Sequence, residues 1–286
     1  MTQRLRIPPT PKTVPRVLFD EAHNNFHTAG GRYKPFADLI TSDGYQVTSN
    51  KEKFSAQVLK GSDILVISNA LGAPQMAQPE AANPAFTDAE CDAVRDWVKS
   101  GGALLLIADH APMGAANQIL GNRFGVNMSK MFTIDKENYE KESNNPGFII
   151  YTRESGRLAD HPITRGRNDS ERVNKIIAFT GQSLKGPPGS FAFMKLADSA
   201  VDVLQGANTP NSAAGRAQGL LMNFGKGRVV VLGESCDALR ATGWSEQDAL
   251  WNESAGYRQS TVCPQPYALV VGAAEMRASD DQLRSG

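Results

Sequence analysis

Three short segments carry most of the side chains in this chain that can bind a metal or move a proton: Phe19-Asp20-Glu21-Ala22-His23-Asn24-Asn25-Phe26-His27, Asp109-His110-Ala111-Pro112 and Glu234-Ser235-Cys236-Asp237. Three of the four histidines lie in them. Imidazole and carboxylate are the ligand types that zinc and similar divalent ions take, and such an ion activates a water without any nucleophile from the protein. His23, Asp109, His110 and Glu234 are the expected metal ligands, and Glu21 or Glu234 is the expected general base beside that water. The same five residues, Glu21, His23, Asp109, His110 and Glu234, serve equally as a metal-free acid and base set.

Each segment also has an ordinary explanation. His23 and His27 are four residues apart, the spacing of a metal-binding helix, but Asn24-Asn25 and residues 28–31 are turn formers, so the segment reads as a loop. Asp109 can simply cap the helix that follows it, a contribution of ~1 kcal/mol. Gly233-Glu-Ser235-Cys-Asp237 half matches the Gly-x-Ser-x-Gly nucleophile elbow. Asp237 stands where the elbow packs a glycine, which counts against Ser235 or Cys236 as nucleophile. In Asp160-His161-Pro162 the X-Pro step fixes chain direction, which makes His161 structural.

A parallel sheet is what must position these residues, because each segment follows an apolar run of strand length, at residues 16–20, 103–108 and 229–233. If the runs are neighbouring parallel strands, Asp20, Asp109 and Glu234 leave one carboxyl edge and line one pocket. The pattern between them alternates as that fold requires. Tyr33, Phe36, Leu39 and Ile40 mark a helix face, residues 45–48 and 63–68 read as strands, and 54–60 as a brief helix. Thr87 and Glu90 form a capping box ahead of a helix whose Cys91, Val94 and Val98 share a core face and which stops at Gly101-Gly102. A further helix covers 115–124.

Residues 126–162 break the alternation and read as an insertion or lid, with only 147–151 resembling a strand. Strands are predicted at 173–180, 191–196 and 219–224, and Gly225-Lys226-Gly227 turns the last of these into 228–232. The fold class is therefore α/β: a doubly wound, mostly parallel sheet with extra antiparallel strands and an insertion. One domain is expected over 16–272, after an extended lead-in at 1–15 and before a polar tail at 273–286.

A chain of 286 residues, 41% of them hydrophobic, is long enough to bury a substantial core. Thirty basic residues balance thirty acidic ones with no dense Lys/Arg run, so nucleic acid is not an expected partner and a small-molecule ligand or substrate is. No apolar stretch approaches the ~20 residues that span a bilayer, so no membrane span is expected. Residues 1–15 lack the apolar region of a signal peptide. Cys91, Cys236 and Cys263 are too few and scattered for a disulfide framework or a cysteine-based zinc knuckle. A cytoplasmic protein and an exported one already trimmed of its signal both fit, and oligomeric state is left open.

Taken together, Phe19-Asp-Glu-Ala-His23 with Gly31-Arg-Tyr-x-Pro-Phe36, Ile107-Ala-Asp-His-Ala-Pro112, His161-Pro-Ile-Thr164 and Gly227-Arg-Val-Val-Val-Leu-Gly-Glu234 resemble an uncharacterised class I glutamine amidotransferase-like family of flavodoxin-like fold, related loosely to ThuA-like and GldG-type domains. The likeness spans roughly residues 15–240. It implies the fold. Amidotransferases of that fold carry a nucleophilic cysteine on the turn that reads Asp109-His110 here, so the resemblance argues against thiolate chemistry.

Two functions follow as expectations. The leading one is a hydrolase acting on a small or carbohydrate-like substrate through a His/Asp/Glu site, with a divalent metal, zinc or similar, as its one candidate cofactor. The other is a non-catalytic ligand-binding module, sugar- or envelope-associated, in which Asn24, Asn25, Asn69 and Asp109 at the strand ends bind a hydroxyl-rich ligand by hydrogen bonds.

Overall fold

A computed structural model of the chain describes residues 14–204 and 209–235. The runs at the three candidate segments become β1 (Arg16–Asp20), β4 (Ala103–Ile107) and β14 (Gly227–Leu232). With β2 (Gln46–Asn50) and β3 (Ile64–Ser68) they form a parallel sheet in the order β2-β1-β3-β4-β14. β13 (Ala217–Phe224) continues this sheet antiparallel to β14 through the predicted hairpin, where Gly225 takes the left-handed φ of 61° that the turn needs. Three more short strands complete it on the β13 side: β5 (Asn127–Met128), β9 (Leu184–Lys185) and β10 (Phe191–Lys195). The class is α/β, with a sheet of nine mostly parallel strands, as expected.

Both faces of the central strands are buried, which explains their unbroken apolar runs. Alternate residues divide between two cores. Val17, Phe19, Ile64, Val66, Leu105, Ile107, Val230 and Leu232 face α1 (Lys34–Ser42) and the segment after residue 148. Leu65, Ile67, Leu104, Leu106, Val229 and Val231 face α2 (Ala56–Leu59), α3 (Asp88–Lys99) and α4 (Met113–Asn122). The capping box is formed in full, with Thr87 Oγ1 accepting from the Glu90 N–H and the Glu90 carboxylate accepting from the Thr87 N–H. Cys91 is buried on the core face of α3, and that burial pushes its thiol up to about 12.

Residues 126–162 do not stand off as a separate lid: Ile149, Tyr151 and Leu158 belong to the same core as β1 and β14. β7 (Ile150–Thr152) pairs with β8 (Lys175–Ile177), a shorter strand than 173–180 predicts. β6 (Phe132–Ile134), β11 (Val201–Val203) and β12 (Asn211–Ser212) form a separate three-stranded sheet. His161 is the N-cap of α5 (Pro162–Arg165), its Nδ1 accepting from the Ile163 N–H, which is the structural role expected of it. No helix among the described residues is long and apolar enough to cross a membrane. The lead-in through residue 13, the tail, Cys236, Asp237 and Cys263 lie outside the described residues.

Candidate functional site

The sheet winds in opposite directions from β1: the chain passes to β2 on one side, and β3 lies on the other. The carboxyl ends of β1 and β3 therefore flank the crevice where doubly wound sheets place ligands. Here the chain's own loop at 21–33 fills it. Phe26 N–H donates to Asn69 O, Leu71 N–H donates to His23 O, and the Asn25 amide reaches both the Asp20 carboxylate (3.0 Å) and Ser68 O (3.4 Å).

His23 is the centre of this lacing. Its Nδ1 lies 2.9 Å from both Asp20 carboxylate oxygens, its Nε2 lies 2.8 Å from Glu90 Oε1, and its ring sits 4.6 Å from each of Phe54 and Phe86. His23 and Asp20 are wholly buried. An ionised carboxylate only accepts, so satisfying both contacts takes a proton on each ring nitrogen or a carboxylic acid at one end. Burial alone would raise the Glu90 pKa, but donors from His23 and Thr87 outweigh it and hold that carboxyl at about 2. His27 stacks on Tyr33 at 4.7 Å with its Nδ1 3.0 Å from Ser68 Oγ. Burial, with the nearby Arg32 charge, drives its pKa down to about 3, so its ring is neutral near pH 7.

The ends of β4 and β14 form a second group. Asn69, held at a left-handed φ of 49°, accepts the Asp109 N–H on its side-chain oxygen at 2.9 Å. The Asp109 carboxylate accepts from the His110 N–H at 2.8 Å and from the Ser235 hydroxyl at 2.9 Å. Ser235 O accepts from the Tyr33 hydroxyl. His110 stacks on Phe132 at 4.3 Å and its Nδ1 meets Ala111 O at 2.6 Å. Below the turn, the buried Gln182 amide donates to Ala108 O and Asp109 O (2.8 and 2.9 Å) and accepts the Lys130 N–H. Gly114 makes room for it, since a Cβ there would lie 2.3 Å from Gln182 Oε1.

The five predicted residues therefore divide. Asp109 and His110 come together, and Ser235 joins them. His23 does not: it lies in the core that faces α3, among Phe54 and Phe86, while the buried Glu234 turns to the other side and accepts the Phe179 N–H at 2.7 Å. β1 and β14 are three strand spacings apart, roughly 14 Å. Glu21 faces neither group: its carboxylate takes the Ala29 N–H, Ser49 and Lys51, and these donors lower its pKa against the opposing effect of burial. The expectation of one pocket lined by Asp20, Asp109 and Glu234 is corrected to two groups along one edge. Among the described residues no three His, Cys, Asp or Glu side chains stand where they can share a metal ion. The donor set His23, Asp109, His110 and Glu234 does not fit one, since both His23 nitrogens already meet carboxylates.

Sequence reasoning missed Glu90, Gln182, Ser68 and Tyr33 as members of these networks. Only Glu90 carried a signal, as the acid of a capping box. Nothing local marks the others.

An α/β domain with a satisfied polar network along the carboxyl edge of its sheet is thus what fold and site define together. No family model matches the chain, and no curated protein matches it in sequence. Among solved structures, the mmIFT52 N-terminal domain is similar to it with a TM-score of 0.56 and 15% identity, covering 86% of this chain and 100% of that one. The cytoplasmic protein STM1381 from Salmonella typhimurium gives 0.47 at 15% identity, over 85% of this chain and 95% of that one. The exo-beta-1,4-mannosidase Op5Man5 from Opitutaceae bacterium strain TAV5 gives 0.42 at 12% identity, over 91% of this chain and 36% of the enzyme. At such identities the first likeness speaks for the fold alone, and the other two carry no argument about function.

Proposed function

We propose that this chain is a ligand-binding module rather than an enzyme, taking a neutral, hydroxyl-rich small molecule over the ends of β4 and β14. The observation that carries this reading is the satisfaction of the acid and base candidates: His23 is held by two carboxylates, Glu234 by a backbone amide, and Asp109 by the Ser235 hydroxyl and the His110 N–H. Side chains locked this way make a rigid platform and are poorly placed to change protonation during a reaction. His110 and Phe132 add an aromatic surface on which a sugar ring can lie, and exposed Phe26 and Phe179 flank the same edge of the sheet.

One observation favours a second reading, hydrolysis. The bond from His110 Nδ1–H to Ala111 O leaves the lone pair of the neutral ring on Nε2, where it can act as a base beside Asp109. One experiment separates the two. The full chain is titrated with monosaccharides and polyols while thermal unfolding is followed, and the same preparation is incubated with chromogenic glycosides and esters. Saturable stabilisation without turnover is expected. Turnover that disappears in His110→Ala would establish hydrolysis instead, and neither stabilisation nor turnover would overturn both readings.

A further inference from the structure

A cavity of about 320 Å³ lies between the segment after β5 and the β11–β12 pair, with Asn127, Ser129, Lys130, Asp202, Ser212 and Arg216 in its wall. Its wall adjoins the strand-end network at Lys130, whose N–H donates to Gln182 Oε1. Its charge is uneven, because two cations, Lys130 and Arg216, accompany the single carboxylate of Asp202. Each oxygen of that carboxylate already accepts a hydroxyl from within the protein: Thr133 Oγ1 donates to Oδ1 and Ser183 Oγ to Oδ2, both at 2.6 Å, and Asp202 is 4% exposed. Arg216 Nε stands 4.0 Å from it, a loose pairing.

The donors are less fully used. Arg216 gives four N–H groups to Ser183 Oγ, Ser183 O, Asn127 O and Asn127 Oδ1, which fixes the guanidinium plane and leaves one of its five hydrogens, on Nη1, for another acceptor. Ser129 and Ser212 accept backbone N–H groups from Ser183 and Ala214, and neither hydroxyl hydrogen goes to a described residue. Lys130 is exposed and its ammonium has no ion-pair or hydrogen-bond partner among the described residues. Its backbone takes a left-handed φ of 62°, which a residue with a Cβ rarely adopts, and its N–H donates to Gln182. A lysine kept in a position better suited to glycine or asparagine places its charge at the cavity wall.

A wall with spare donors, a surplus positive charge and a buried carboxylate hydrogen-bonded at both oxygens is complementary to a group that only accepts and is negative. We propose that this cavity binds a small oxyanion, the carboxylate or phosphate group of a small molecule, with Lys130 as its main charge and Arg216 as a fixed donor. The volume suits such a ligand, at the lower end of the usual range for small-molecule sites.

Inorganic phosphate and acetate, titrated separately into the full chain at low ionic strength, test this by calorimetry and thermal unfolding. Saturable binding at millimolar concentration is expected, weakening as sodium chloride is added. Phosphate alone binding identifies a phosphoryl ligand, and acetate binding as well identifies a carboxylate; both support the site. Lys130→Glu, on an exposed side chain, is expected to leave the unliganded melting temperature near the parent and to weaken binding at least about tenfold. Lys53→Glu makes the same change of net charge elsewhere and is expected to leave binding intact. Absence of saturable binding by either anion, or binding equally retained in Lys130→Glu, would overturn the proposal.

Discussion

The two ends of the crevice edge began with the same chemical endowment and finished differently. At β1 and β3, Asp20, His23 and Glu90 are sealed under loop 21–33, with every polar atom of the imidazole matched and two phenylalanine rings against it. At β4 and β14, Asp109 and Ser235 are nearly as buried, yet His110 beside them is only partly covered and keeps one ring nitrogen outside the network. A histidine next to an aspartate at a strand end is therefore not a functional sign in itself. What decides is whether another element arrives to complete it: α3 brings Glu90 to His23, whereas the residue lying over His110 is Phe132, which offers a ring face and no acceptor.

Removing His23 tests the closed end and should have the largest effect. His23→Ala leaves Asp20 and Glu90 buried without their partner, and a loss of about 3–5 kcal/mol is expected in chemical denaturation. A loss under ~1 kcal/mol would mean that the sealed network contributes little, and the contrast with the open end would fail.

Acid should act on the same end. The folded pKa of His27 is about 3, below the ordinary value of 6.5, so the unfolded chain binds the extra proton between these limits. Stability is fully present above pH 6.5 and is lost as pH falls toward 3, with a slope approaching about 1.4 kcal/mol per pH unit from this group. Glu90 adds its own loss lower down, from its ordinary value of 4.5 to about 2. His27→Gln should flatten the upper part of the acid limb in urea denaturation measured at a series of pH values; an unchanged slope would remove His27 from the account.

Gln182→Ala probes the scaffold beneath the open end. Two buried hydrogen bonds and one partly buried one are lost, and about 2–3 kcal/mol of destabilisation is expected. His110→Ala, by contrast, should cost only about 1 kcal/mol, the worth of a half-covered aromatic contact, while weakening ligand binding at least about tenfold. Destabilisation by several kcal/mol with binding intact would make His110 a second His23 and erase the distinction. The smallest effect is expected for Lys51→Ala, whose pairing with Glu21 is exposed on the lysine side: a change within about 1 kcal/mol, with no effect on binding, measured by the same two assays.

Much of the frame was legible because it rests on local signals. The apolar runs, the Thr87/Glu90 box, the glycine turn at 225–227 and the core face of Cys91 all follow from spacing within a few residues, and backbone geometry enforces that spacing. The single pocket was not legible. Asp20 follows Phe19, which faces α1, so Asp20 falls on the α3 side, whereas Glu234 stands two places after Leu232 and falls on the side of α1 and Tyr151. Counting alternation reveals the difference only once it is known which layer covers which face.

By itself, then, the sequence determined that this chain makes a mostly parallel α/β sheet and that polar residues cluster at its carboxyl edge, since periodicity and turn chemistry act between near neighbours. Only the tertiary structure decided which of those residues meet. His23 finds Glu90 across 67 positions and Ser235 finds Asp109 across 126. Contacts at such separations depend on how helices and loops pack on the two faces of the sheet, and a hydrogen bond between distant side chains leaves no periodic trace in the chain that forms it.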